Sequence, residues 1–116
     1  MSDCIFCKLA NGEIPTQLVY EDEAVVAFHD LHPQAPVHVL IVPKKHVADI
    51  DTLAGHADGE KILGQVLRAI PKVADLVGIR QKGYRLINNC GPDAGQTIEH
   101  VHFHLLGGKV LGDKIV

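Results

Sequence analysis

The chain has 116 residues, 47% of them hydrophobic and 22% charged, and a formal net charge of -3. That balance fits an ordinary globular protein with one core, read as a single domain over 1–116, and excludes a disordered or fibrous chain. The acidic balance argues against a dedicated nucleic-acid binder, which carries a basic face. No apolar run approaches a bilayer span and no secretory signal is legible, so neither nucleic acid nor membrane is an expected partner and a cytoplasmic location is expected.

In chain order, Cys4-Ile5-Phe6-Cys7 comes first. There are three cysteines, and without a secretory signal such a pair suggests metal or redox chemistry more than a structural disulfide. The spacing alone leaves two buried, unmetallated thiols as the other reading. Asn11-Gly12-Glu13-Ile14-Pro15 predicts a turn. Leu18 to Tyr20 and Ala24 to Phe28 predict two short strands joined at Glu21-Asp22. A loop with Pro33 and Pro36 follows, then a strand over Val37 to Val42, closed by Pro43.

The clearest helix is predicted from Asp58, as N-cap, to Gly78. Ile62, Val66, Ile70, Val73 and Val77 recur at helical spacing, and Leu63, Leu67 and Ala74 widen the stripe. Pro71 should kink this helix, so two shorter helices are an alternative. Two further strands are predicted, Tyr84 to Asn89 and Thr97 to Leu106, around the turn-rich stretch from Cys90 to Gln96. Strands, one main helix and strands again give an α+β fold, an antiparallel sheet with the helix on one face.

The last strand carries three of the chain's eight histidines in five residues. Strand side chains alternate, so Val101, Phe103 and Leu105 should face the helix while His100, His102 and His104 face the other way. His38 alternates with Val37, Val39 and Ile41 and can join them. This second face is expected to be uncovered and to hold the site. At ~3.3 Å per residue, His100 and His104 stand roughly 13 Å apart, too far for one zinc ion to hold all three imidazoles. Imidazole is largely neutral near pH 7 and is a competent nucleophile toward phosphorus. Gly91 and Gly95 let main-chain amides approach phosphoryl oxygens, and Asn89 and Thr97 add side-chain donors.

These residues resemble the histidine-triad (HIT) family. The signature is met by Asn89, Ala94, Gln96, Ile98, His100, His102, His104, Leu105, Leu106 and Gly107. It continues in Phe28-His29-Asp30, in Pro33 to His38 and in Pro43-Lys44-Lys45-His46, so the likeness spans nearly the whole chain. The Leu-Leu-Gly-Gly ending is similar to the Hint branch. The resemblance implies a five-stranded antiparallel sheet with one main and one short helix, paired into a ten-stranded sheet in a homodimer.

It also implies a purine nucleoside phosphoramidase acting on nucleoside 5'-monophosphate derivatives, with His102 transiently nucleotidylated and His100, His104, His38 and Thr97 in support. By the same likeness Asp30 would hold the ribose, and Phe6, Leu9, Phe28 and Leu31 would line the base pocket. Asn89, Gly95, Gln96 and Thr97 would contact the phosphate, beside His102 and His104. The family usually has Ser where Thr97 stands, and the hydroxyl is kept. Similar bacterial members hold zinc through the equivalents of Cys4, Cys7, His46 and His100; such zinc would be structural, with no cofactor needed for catalysis. A nucleotide-binding regulator with incidental turnover and a zinc-centred hydrolase are the rival readings. The tail from Lys109 to Val116 is expected to reach the partner subunit's site.

Overall fold

A computed structural model describes residues 4–116. Helix α1 (Ile5–Ala10) leads to β1 (Leu18–Glu21), β2 (Val25–His29) and β3 (Val37–Pro43). Helices α2 (Ile50–Gly55) and α3 (Gly59–Leu76) precede β4 (Arg85–Ile87), a 3-10 turn at Pro92–Ala94 and β5 (Phe103–Gly107). All strand pairs are antiparallel, in the order β1-β2-β3-β5-β4. The β1–β2 hairpin turns on Asp22, whose carboxylate accepts from the amides of Ala24 and Val25 and from the Tyr20 hydroxyl.

One face of the sheet packs on α3. Val25, Val39, Ile41, Val101, Phe103 and Leu105 join Ile62, Val66, Ile70 and Val73 in one buried cluster. Leu63 and Leu67 lie outside this stripe, 41% and 64% exposed, whereas Ala74 is buried in it. Pro71 does not split the helix, which runs unbroken from Gly59 to Leu76. The bond it forgoes is to the carbonyl of Leu67, on the exposed side of the helix, where water can replace the missing donor. Gly78, at φ 75°, stands just past the end, where a left-handed residue closes a helix.

Two expectations need correction. The last strand begins at Phe103, and residues 97–102 follow an irregular path. Pairing of β3 with β5 stops at Ile41 and Phe103. Two residues further along β3, Pro43 has no N–H to offer, and its carbonyl is taken by the imidazole of His100 at 2.8 Å. Likewise β4 covers only Arg85–Ile87, not Tyr84 to Asn89. The second correction is that the histidine face is not open. Phe6 and Ala10 of α1 pack there with Val26, Phe28, Leu40 and Val42 as a second apolar cluster. Helix α2 was not predicted; Asp49 caps it by accepting from the Thr52 amide at 2.7 Å.

Candidate functional site

His100 and His102 are buried in the irregular run before β5, His104 lies on β5, and His38 lies buried on β3. Hydrogen bonds to main-chain groups of known polarity assign the ring protons. A carbonyl can only accept, so the 2.7 Å contact between His102 Nδ1 and the His100 carbonyl places a proton on Nδ1. The neutral ring then carries its lone pair on Nε2. Burial, the largest influence, lowers the His102 pKa, so this neutral form dominates at pH 7. Phe6 packs edge-to-face against the same ring, with centroids 4.9 Å apart, and touches Phe28 at 5.7 Å.

The next pair is fixed in the same way. The Gln34 amide donates to His38 Nδ1 at 3.0 Å, which leaves the His38 proton on Nε2. That proton points to His104 Nδ1 at 2.9 Å, with an Asp30 carboxylate oxygen 3.5 Å from the same nitrogen. His104 Nδ1 is therefore an acceptor, and its own proton sits on Nε2. Burial, followed by the neighbouring His102 and His38, pushes the His104 pKa down to about 4. Asp30, His38 and His104 are close enough to suggest a metal. The Gln34 amide argues otherwise, because it keeps His38 Nε2 protonated and unable to ligate.

Asp30 also accepts from the His32 amide at 2.7 Å, so one oxygen caps its own loop while the other faces His38. The sheet thus brings His102, His104, His38 and Asp30 together, flanked by Phe6 and Phe28. Leu9 is half-buried, and Leu31 stands 91% exposed, free to cover a flat ligand.

The loop before the triad is braced by its own side chains. Asn89 donates to the Ala94 carbonyl at 2.7 Å. Gln96 accepts from the Gly91 amide and donates to the carbonyls of Ala48 and Ile98. Both amide protons of Gln96 are thereby used, so its side chain acts as a strut for the loop. Gly91 and Gly95 have φ of 85° and 84°, a region that suits glycine. Thr97 is exposed at the loop's end.

Cys4, Cys7, His46 and His100 form a second constellation, their ligand atoms all within 4.8 Å of one another. Nδ1 of His100 is 3.4 Å from each sulfur, and Nδ1 of His46 is 3.2 Å from Cys7 Sγ. Zinc–sulfur and zinc–nitrogen bonds of about 2.3 and 2.1 Å give tetrahedral sulfur–nitrogen edges of roughly 3.6 Å, close to those spacings. His100 donates through Nε2 to the Pro43 carbonyl, leaving Nδ1 bare toward the sulfurs. Burial, reinforced by Cys4, pushes the Cys7 thiol up to about 11, a cost that a divalent cation reverses by binding thiolate. The residues fit zinc, and four protein ligands make a closed, structural type of site rather than a catalytic one.

A cleft of about 820 Å³ lies elsewhere: it is lined by Lys82, Tyr84, Arg85 and Lys109 among others and contains no histidine. Arg85 pins the tail there by donating to the Gly112 carbonyl at 2.6 Å. Sequence reasoning assigned nothing to Gln34 beyond the family likeness, nor to Asn88, whose amide meets the His102 carbonyl at 2.9 Å. Backbone geometry supplies both contacts, and no residue pattern announces them.

Known proteins agree with this architecture. The HIT domain profile matches residues 11–111. The purine nucleoside phosphoramidase of Escherichia coli K12 is 42% identical over 110 residues, 95% of this chain and 91% of its own length. A HIT family hydrolase from Clostridium thermocellum superposes with a TM-score of 0.93 at 48% identity, covering 100% of this chain and 99% of the other. A histidine triad protein from Clostridium difficile gives 0.91 at 47% identity, covering 98% and 97%. A chain that shares the profile, the fold and the triad at these levels of identity belongs to the HIT domain family.

Proposed function

We propose that this chain is a hydrolase of nucleoside 5'-phosphoramidates and related purine nucleoside monophosphate derivatives, working through a nucleotidyl-histidine on His102. The observation that carries the reading is the bond from His102 Nδ1–H to the His100 carbonyl. It leaves Nε2 as a lone-pair nucleophile in a ring that burial keeps neutral. The name of the E. coli relative gives the substrate class.

In the first displacement His102 Nε2 bonds to phosphorus as the phosphorus–nitrogen bond to the amine breaks. The amine leaves with a proton; Nε2–H of His104 is the nearest donor, and because both rings of the His38–His104 pair are neutral, the proton given up is replaced from water. In the second, water attacks phosphorus, the bond to His102 breaks, and the nucleoside monophosphate departs. Loop amides near Gly95 and the hydroxyl of Thr97 stabilise charge on the phosphoryl oxygens, with Asn89 and Gln96 holding that loop in shape. Asp30 binds the ribose, and Phe6, Leu9, Phe28 and Leu31 bound the base.

Zinc on Cys4, Cys7, His46 and His100 would tie α1 to the triad segment and take no part in the displacement. The whole chain, 1–116, is read as one domain. Homodimer formation is supported by β4, an edge strand bearing the exposed Leu86, and by Leu63 and Leu67 exposed on α3. In such a dimer the tail from Lys109 to Val116 would approach the partner's site. The free thiols of the cysteine pair favour a reducing compartment such as the cytoplasm.

Intact mass after rapid mixing with an adenosine phosphoramidate tests the reading. Wild type should gain one AMP transiently, and His102→Ala should not. Binding with no adduct in wild type would overturn the covalent mechanism, and a fast single turnover with negligible steady-state rate would favour a nucleotide-binding regulator.

A further inference from the structure

The pairing of β4 with β5 ends at Ile87 and His104. That of β3 with β5 ends at Ile41 and Phe103, so the main chain of residues 100–102 has no ladder to hold it, and each polar group must find a separate partner. Among the described residues, and apart from the sulfur contacts of His100, four hydrogen bonds outside the regular ladders position residues 100–102. The Val101 amide donates to the Val47 carbonyl at 2.7 Å. The His100 ring donates to the Pro43 carbonyl and the His102 ring to the His100 carbonyl. The fourth runs from Asn88 Nδ2 to the His102 carbonyl at 2.9 Å. It alone comes from a side chain that carries no chemistry and binds no ligand in the reading above.

We propose that Asn88 is a positioning residue for the nucleophile: its amide replaces the ladder bond missing at His102 and sets where that imidazole stands. The inference rests on the reading of His102 as the nucleophile. Asn88 is the first residue past β4, half-buried, with its amide at hydrogen-bond distance from the residue it serves. A side chain without a donor leaves the carbonyl to recruit water or turn toward another partner. The His102 ring, attached to the same residue, then moves with it. Near-attack geometry tolerates little displacement: an error of about 1 Å can cost on the order of a hundredfold in rate.

Asn88→Leu removes the donor and keeps the volume, while Asn88→Ala removes the donor and opens space. Both should slow formation of the AMP adduct by roughly tenfold or more, with KM changed less than about twofold. The imidazole 15N signals of His102 should move in both free proteins. Slowing in only one variant assigns the effect to volume and overturns the proposal. Wild-type adduct rates with unmoved His102 signals overturn it as well. Should wild type itself form no adduct, the covalent reading of His102 falls. The 15N signals need no substrate and still decide whether Asn88 places the ring.

Discussion

The carbonyl of His100 accepts the Nδ1 proton of His102 at 2.7 Å, while the ring of His100 stands 3.4 Å from the sulfurs of Cys4 and Cys7. One residue therefore belongs to both constellations. Its imidazole is bound into the cysteine–histidine cluster, and its main chain fixes the proton on the ring of His102, the proposed nucleophile. The ring of His100 that meets the cysteines and the carbonyl that holds His102 therefore belong to one residue.

Metal removal tests that link. Purified protein should carry about one zinc per chain by atomic emission, and Cys7→Ser should carry little. Chelation should lower the Tm by about 4 °C or more, because a structural metal contributes folding energy directly. Below the new Tm, hydrolysis should persist within roughly an order of magnitude, since the tetrad offers a substrate no open position. Activity that vanishes on chelation while the Tm holds would make zinc catalytic and overturn the assignment.

Stability should fall as the solution is acidified, well before the carboxylates titrate. Burial, with His102 and His38 as neighbours, holds His104 at about 4 in the folded protein, against about 6.5 in an unfolded chain. Between those values the unfolded chain binds the proton and the folded one does not, so unfolding is favoured as pH drops. The contribution is fully present above about pH 6.5 and is lost progressively toward pH 4. A shift of this size corresponds to about 3 kcal/mol. Urea titrations from pH 7 to 4.5 should show the decline, and His104→Gln should make it shallower, leaving the part that buried His100 and His102 contribute in the same direction. A wild-type curve that stays level down to pH 5 would contradict a half-buried His104 held neutral in the folded protein.

Much of the site was legible in the sequence because its chemistry needs particular side chains at particular spacings. The structure gathers Cys4, Cys7, His46 and His100, the set that the family likeness implied, and puts His38 on the histidine face; its pairing with His104 was not foreseen. What could not be read was backbone that departs from a regular ladder. Alternation placed Thr97 to Leu106 in one strand, yet Pro43 removes a donor on the facing strand and the His100 ring takes its carbonyl. Helix α2 escaped because six residues give too little periodicity, although Asp49 before Ile50 is a capping signal. Pro71 was overweighted because the exposure of the Leu67 side depends on how α3 docks, which propensity does not encode.

Gln96 ties the loop to Ala48 and Ile98 as donor and to Gly91 as acceptor. Gln96→Glu keeps the shape and loses both donors, setting a carboxylate against two carbonyls. The cost should be about 2–4 kcal/mol in stability, from two broken bonds and the repulsion that replaces them. KM for the phosphoramidate should rise roughly tenfold as the cradle loosens. Unchanged denaturation and unchanged KM would show that the loop holds its shape without this strut.

The joint between α2 and α3 makes a prediction on which two physical effects disagree. Alanine outranks glycine in a helix by about 1 kcal/mol, and Gly59 is the first residue of α3. Propensity alone therefore recommends Gly59→Ala. A Cβ there, however, would stand 1.9 Å from the carbonyl oxygen of Leu53 and 3.1 Å from its carbonyl carbon. Leu53 is 2% exposed, so that backbone has no room to retreat. The clash should win, with a net loss of about 2–4 kcal/mol. Gly55, at the end of α2, supplies the control, because a Cβ there meets nothing within 4 Å. Gly55→Ala should be neutral or stabilising by up to about 1 kcal/mol. Urea denaturation of the two variants side by side reads the difference. If Gly59→Ala proved as stable as Gly55→Ala, α3 would have to be able to slide away from α2. The packing of α2 against α3 would then be softer than this contact requires.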